Sequence, residues 1–394
     1  MKRNVQRIIS ILASILMVFN SVPISAFADA EITYQGGLPV AIAGGALTPQ
    51  QVLGGAVEFG VVADTYKQTG HTETNFAVKH FVMNDQSIEI IGSGTNPIPF
   101  YVGQLDEETV LWNGKETNVV FDIFINKDQS SKGVYKNHPY GGRYNVEYSK
   151  SDPATNVHAM EKNDVNSKVT SLLSHPVNMS SLLAAKEAHY TPPAGTNVID
   201  LTGPMFDKAK NATIYINCEN VQDIISQSGW KITKYEGQTI VFNMPGSNVT
   251  IQKFDLKVKD ENGNYIRFPG NKQDHGDNDT TLTSETGEKD TTPTHNKYVD
   301  QYILRHIVFN AYNARSLTIN TAAGMFLAPN ATVKQSQGAG AGWIVTNHGF
   351  ESSAEWHFYY HDRHYSAHVE KDINISRESL EFDFSELEKD EEEQ

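Results

Sequence analysis

The feature that most constrains this chain is a recurring unit: an apolar strand, a tight corner, then a second alternating strand. Phe242-Asn-Met-Pro245 is followed by Asn248-Val-Thr-Ile251, and Phe326-Leu-Ala-Pro329 by Asn330-Ala-Thr-Val333. Proline cannot continue a strand ladder and asparagine tolerates a turn, so each first strand must stop at its corner. Strand, corner, strand is the unit of a β-solenoid, in which each coil covers the open face of its neighbour. A β-sandwich also needs corners, so pattern alone leaves solenoid and sandwich level. Period-2 alternation elsewhere agrees with a mostly-β chain: Val119, Phe121, Ile123 and Ile125 share one face, as do Ile214, Ile216 and Cys218.

One stretch departs from period 2. Val165, Val169, Leu172 and Leu173 lie on one face of a helix that Pro176 is expected to end. Asn178 is placed to cap a second short helix carrying Met179, Leu182 and Leu183, ahead of Thr191-Pro192-Pro193. The pattern predicts a helical hairpin over about residues 161–190, inserted in the β protein with its apolar face on the sheet. Residues 260–298 are polar and poor in apolar side chains, which predicts an exposed insertion. Residues 373–394 read as an acidic tail or linker, with eight acidic residues and one lysine from Leu380 to Gln394.

The N-terminus predicts export. Lys2, Arg3 and Arg7 precede the apolar run Ile8–Phe19, and Ala26-Phe27-Ala28 and Ala28-Asp29-Ala30 offer small-x-small cleavage sites. The run is short for a membrane span of about 20 residues, so residues 1–30 read as a signal peptide, leaving no membrane insertion after cleavage. The single cysteine, Cys218, cannot form an internal disulfide, so stability outside the cell must come from burial and backbone hydrogen bonding. A formal charge of −15 repels nucleic acid and anionic lipid as primary partners.

Two segments resemble a known family. Gly324 to His357, GMFLAPNATVKQSQGAGAGWIVTNHGFESSAEWH, is similar to the C-terminal hallmark of the choice-of-anchor A family of Gram-positive surface proteins. Leu53 to Phe81 resembles the opening of that family, notably Phe59-Gly60 and Glu73-Thr-Asn-Phe-Ala77, and LLAAKEAHYTP and VFNMPGSNVTI match its middle. The resemblance implies one adhesive domain over residues 31–372, expected as a right-handed parallel β-helix-like solenoid. It implies a non-catalytic extracellular module with no cofactor, whose partner is a protein or glycan on a host or microbial surface. Members commonly carry stalk repeats and a wall-sorting motif after this domain. Neither stands in this sequence, so the chain is expected to be released, held by a partner, or continued into a stalk.

His357, His361, His364 and His368 have helical metal-ligand spacing, but the stretch reads equally as strand plus loop, so no metal site is assigned. Large amphipathic rings carry much of the binding energy at surfaces, which makes Trp356, Tyr359 and Tyr360 the candidate ligand-binding residues. Trp343 lies in an apolar strand and reads as core. Cys218 shares a face with two isoleucines and reads as a small hydrophobe rather than half of an internal thioester. Asp274 to Glu285 superficially suits a calcium loop but has Asp279 where glycine is required. Nucleophile elbow, Walker loop, dinucleotide fingerprint and zinc-protease helix are all missing from the sequence. No carboxylate pair stands out, so a secreted carbohydrate-active enzyme on a solenoid is the alternative function, and a structural tip element of a surface fibre the third.

Overall fold

The computed structural model describes residues 34–35, 38–39, 45–70, 72–83, 88, 98–106, 111–113, 121–128, 134–137, 155–192, 197–218, 230–266 and 297–358. The signal-peptide segment, most of the polar insertion and the acidic tail lie outside the described residues. The elements in chain order are β1 (Tyr34–Gln35), β2 (Leu38–Pro39), α1 (Pro49–Leu53), β3 (Val61–Gln68), β4 (Phe76–Met83), β5 (Ile98–Leu105), β6 (Leu111–Asn113), β7 (Phe121–Asn126), β8 (Val134–Asn137) and β9 (Thr155–Met160). There follow α2 (Lys162–Ala184), β10 (Val198–Asp200), β11 (Thr213–Asn217), β12 (Trp230–Tyr235), β13 (Thr239–Asn243), β14 (Asn248–Ile251), β15 (Phe254–Lys259) and α3 (Lys297–His306). The chain closes with β16 (Ile307–Asn310), β17 (Ser316–Asn320), β18 (Ala323–Leu327), β19 (Thr332–Gln337), β20 (Gly340–Ser352) and β21 (Trp356–His357).

Every strand pair from β3 onward is parallel. Parallel neighbours need a crossover, which short corners supply only by winding the chain into a coil. The sandwich alternative is thereby excluded, and the fold is a parallel β-solenoid. The corner at Pro245 joins β13 to β14 and the corner at Pro329 joins β18 to β19. Phe242 pairs with Phe309 and Phe309 with Phe326, so the two proline corners stand two rungs apart in one stack. The rung between them, β16 to β17, turns without proline.

The first face carries β11, β13, β16, β18, the start of β20, β3, β4, β5, β7 and β9, in that order. The second carries β14, β17, β19 and the end of β20, continued by the ends of β3 and β4. A third, shorter face is β10-β12-β15. Inward side chains of all three form one core, through which the rings of Phe242, Phe309 and Phe326 stack 5.4 and 5.1 Å apart. The first face is buried on its outer side too. Val62, Ala77, Val241, Val308, Met325, Trp343 and Val345 meet Val169, Leu172, Leu173, Met179 and Leu183 of α2 in a second apolar layer. Burial on both sides is why these strands read as continuous apolar runs such as Ile240-Val-Phe242 and Trp343-Ile-Val345.

The helical hairpin is corrected to one continuous helix. Residues Lys162–Ala184 form 23 residues of α2 with Pro176 inside it. Val165, Val169, Leu172, Leu173, Pro176, Met179, Ser180 and Leu183 make one unbroken buried stripe, whose packing outweighs the roughly 3 kcal/mol that an internal proline costs. At 1.5 Å per residue, 23 residues span about 35 Å. The helix touches β7, β5, β4, β3, β20, β18, β16 and β13, seven steps of about 4.8 Å, or about 34 Å. It is therefore a ruler laid along the stack. The N-terminal coils run outward from β3 to β9, α2 carries the chain back, and the C-terminal coils run from β11 to β20, which pairs with β3. The first and last coils meet inside the stack.

Candidate binding face

The helices pack on the first face; among the described residues none packs on β14, β17 or β19 of the second. Its outward rows follow from register. Asn248, Ser316 and Thr332 are neighbours across β14, β17 and β19, and Thr250, Thr318 and Lys334 form the next row. That row continues to Glu351, Lys67 and Val82, and alongside it Gly349, Thr65 and His80 are in register. Rungs about 4.8 Å apart and a repeat of about 6.6 Å along each strand make a regular lattice of hydroxyls, amides and a few charges. Lys334 Nζ lies 3.5 Å from Glu351 Oε2, and His80 Nε2 lies 2.7 Å from Asp106 Oδ1. At the far edge Ser336 Oγ donates to Asn320 Oδ1 at 2.7 Å, and Asn320 Nδ2 donates to Gln252 Oε1 at 3.2 Å.

Beneath the face a buried polar spine fixes its rungs. Gln335 Nε2 donates to Gly338 O at 2.6 Å and Glu355 O at 2.8 Å, while Ser352 Oγ donates to Gln335 Oε1 at 2.6 Å. Gln68 Nε2 donates to Ala354 O at 2.8 Å, and Tyr66 Oη donates to Gln68 Oε1 at 2.7 Å. Burial pushes the Tyr66 phenol well up, so it stays a neutral donor. The spine crosses the seam between β20 and β3, which holds rungs from both ends of the chain in one plane.

Trp356 does not face a ligand. It is fully buried, its Nε1 donates to Gly342 O at 3.1 Å, and its ring packs edge-on against Phe350 and Phe326. Corrected from a contact residue, it is a core residue placed by β21 pairing with β20. Tyr359 and Tyr360 lie outside the described residues, as do His361, His364, His368 and the Asp274–Glu285 segment. Trp343 is core, as read, with Nε1 donating to Val57 O at 2.9 Å. His357 is a seam residue: Nδ1 is 2.8 Å from Glu73 Oε2, and the backbone around it pairs with Glu73. Among the described residues no three His, Cys, Asp or Glu side chains converge as a metal site. Cys218 is buried, and burial pushes its thiol well up, away from a reactive thiolate. The hollow between Asp207, Lys210, Asn211 and Glu261 is tied across, with Asn211 Nδ2 donating to Glu261 Oε1 at 3.0 Å and Lys210 Nζ to Glu261 O at 2.6 Å.

The hydroxyl rows leave no signal in the sequence because each contributing strand offers only two or three outward residues. Thr250, Thr318 and Thr332 are neighbours only once three strands separated by loops and a helix are aligned.

The described coils form a parallel solenoid braced by helices on its first face, with polar side chains in register along its second. The chain belongs to the ice-binding-like adhesive domain family: the family described as "Putative Ice-binding-like adhesive domain" matches residues 32–358. No curated protein matches the chain. Among solved structures it is similar to the ice-binding protein of the Antarctic ascomycete Antarctomyces psychrotrophicus, at 10% identity over 77% of this chain and 95% of that one, with a TM-score of 0.30. It is also similar to the ice-binding protein LeIBP from an Arctic yeast, at 8% identity over 77% of this chain and 92% of that one, with a TM-score of 0.28.

Proposed function

We propose that this chain is an extracellular, non-catalytic adhesive module of a bacterial surface protein, of the choice-of-anchor A kind, that grips a protein or glycan through the open second face. The observation that carries this reading is the in-register lattice of one amide and four hydroxyls formed by Asn248, Thr250, Ser316, Thr318 and Thr332, on the long sheet face on which the helices do not pack. A rigid plane of donors and acceptors suits a large hydrated ligand, because its rungs are fixed before contact and little side-chain entropy is lost on binding. The signal-peptide pattern supports an extracellular setting. Tyr359 and Tyr360 follow the last described coil and remain proposed contacts.

Ice is the second reading, favoured by the family description and by the threonine rows. Lys334, Glu351 and Lys67 stand in register across the middle of the face and break the uniformity of the lattice, which fits a ligand carrying charges of its own. The test is a panel of immobilised matrix proteins, host glycans and microbial cell walls, with ice recrystallisation run in parallel. Thr318→Tyr with Thr250→Tyr should weaken capture at least tenfold, whereas Leu182→Ala on the helical side should not. Capture that survives the two tyrosines moves the site elsewhere, and inhibition of ice growth by the parent that those tyrosines abolish would make ice the ligand. Silence across the panel sinks the adhesive reading.

A further inference from the structure

The two ends of the stack are finished differently. At one end β11 is capped: the segment His189–Tyr190 bonds along it, with Tyr190 N donating to Tyr215 O at 3.3 Å and Asn217 N donating to Tyr190 O at 3.0 Å. Pro192, buried just beyond, offers no further N–H. At the other end β9 pairs with β7 alone. Among the described residues nothing bonds to its outer side, which leaves β9 the edge strand of the described stack.

Natural edge strands are guarded by charge, proline or a bulge. β9, Thr155-Asn-Val-His-Ala-Met160, has none of these; its register against β7 is unbroken from Phe121↔Thr155 to Asn126↔Met160. The core is unfinished here as well. Val157 and Ala159 pair with Ile123 and Ile125, whose side chains point into the solenoid, yet Val157 is only half-buried and Ala159 is exposed. On the outer side a ladder of rings climbs the same three rungs: Tyr101 stacks on Phe124 at 4.7 Å and Phe124 on His158 at 4.5 Å. His158, held 2.6 Å from Asp122, is the last ring, and its far side faces the open end.

We propose that this end is an interface for a second copy of the chain, formed by antiparallel pairing of β9 with β9 of the partner about a two-fold axis. Antiparallel pairing with His158 opposite its own copy keeps both inward rows inward, because side-chain direction alternates every residue. Val157 then lies opposite Ala159 of the partner subunit, a large residue against a small one, and the ring ladder runs unbroken through the axis. The capped β11 end withholds the second edge that head-to-tail growth would need, so the contact closes as a dimer and does not propagate as a fibre. Two copies joined this way would present two adhesive faces on one rigid rod, raising avidity without a new contact.

Sedimentation velocity of the whole purified chain from about 1 to 100 μM tests this, with a dimer expected to dominate at the upper end. Val157→Lys and Ala159→Pro should each return a monomer, at least tenfold weaker in association, with unchanged circular dichroism. His158→Cys should form an inter-chain disulfide on mild oxidation without denaturant, whereas Leu182→Cys should not. That cross-link keeps the test decisive even where Ala159→Pro fails to fold. A monomer at 100 μM, a dimer untouched by Val157→Lys, or no cross-link through His158→Cys overturns the proposal. None of these outcomes touches the second face, so they leave the adhesive reading to its own test.

Discussion

Buried titratable side chains set how this fold answers to pH. Lys234 is fully buried beneath α3, where Nζ donates to Glu236 O at 3.1 Å and to the Tyr302 hydroxyl. Burial holds its pKa well below the ordinary lysine value, since a cation there has lost its water. His306, stacked on Tyr302 at 4.2 Å with Nδ1 2.8 Å from Tyr302 O, is pushed down to about 3 by burial first and by Lys234 and Arg305 after it. In both cases the unfolded chain binds the proton more readily, so protonation favours unfolding. For His306 stability should fall as pH drops from 6.5 toward about 3, at about 1.4 kcal/mol per pH unit. His306→Gln should flatten that limb in denaturant melts between pH 4 and 7, and an unchanged slope would clear His306 of the effect. Lys234→Met replaces a buried amine by an apolar chain of similar length. It should raise the melting temperature at neutral pH, with the gain shrinking as pH rises toward 10 and the native amine loses its handicap. A further buried group ties helix to sheet. Asn310 Nδ2 donates to Ser180 O at 2.9 Å and Asn243 Oδ1 at 2.8 Å, while its Oδ1 accepts from Ser180 Oγ at 2.5 Å. Asn310→Ala strands three buried polar atoms and should cost about 3 kcal/mol in urea melts, against about 1 for an exposed asparagine such as Asn248.

At the level of elements, α2 lies so close to the sheet that glycine is required beneath it. A Cβ on Gly103 would stand 2.4 Å from Asn166 Oδ1 and 2.5 Å from Lys79 O, the latter backbone that cannot swing away. Gly103→Ala should lift the first turns of the helix and cost about 2 kcal/mol, seen as faster amide exchange over residues 162–170; protection equal to the parent's would show the helix free to shift. Strands were legible wherever alternation met a corner: β7, β11, β13 and β14 fall where Phe121, Ile214, Phe242 and Val249 placed them. The rung without proline, Phe309 to Ile319, is hard to see in sequence because Ala311 and Ala314 mark a corner far more weakly than Pro245 does. At Pro176 local propensity argues for a stop, while the apolar stripe that overrides it has meaning only with the sheet underneath. Sequence alone does not separate Trp356 from a contact residue, because a ring between polar neighbours looks the same whether its strand lies at a rim or closes a core.

Taken whole, the molecule is held together by a topology that few sequence signals announce. A simple solenoid stacks coils in chain order and unravels from its ends, each rung stabilised by its neighbours alone. Here β3 is wedged between β4 and β20, so the middle of the stack is built from both ends of the domain. The seam is sealed by His357 against Glu73, by Glu73 N donating to Trp356 O at 2.9 Å, and by Gln68 reaching Ala354 at 2.8 Å. Alongside, α2 bears on rungs of both halves, so neither half can open without uncovering the apolar layer of the other. Cooperativity should therefore extend over the whole stack. Unfolding in guanidinium should show one transition, with tryptophan fluorescence, to which Trp230 and Trp343 contribute among four tryptophans, coinciding with backbone circular dichroism. Trp230 sits on the third face near the β11 end and Trp343 at the seam, so end-first unravelling would separate the two signals. Refolding should be slow, because β3 cannot be covered until about 280 further residues have returned to it, a loop closure between strands distant in sequence that must precede most of the stabilising contacts. In a Trp112→Phe, Trp230→Phe double variant the remaining tryptophans, Trp343 and Trp356, both stand at the seam; a fluorescence midpoint there that departs from the backbone midpoint would show the halves parting independently, and the seam would then be a contact rather than a lock.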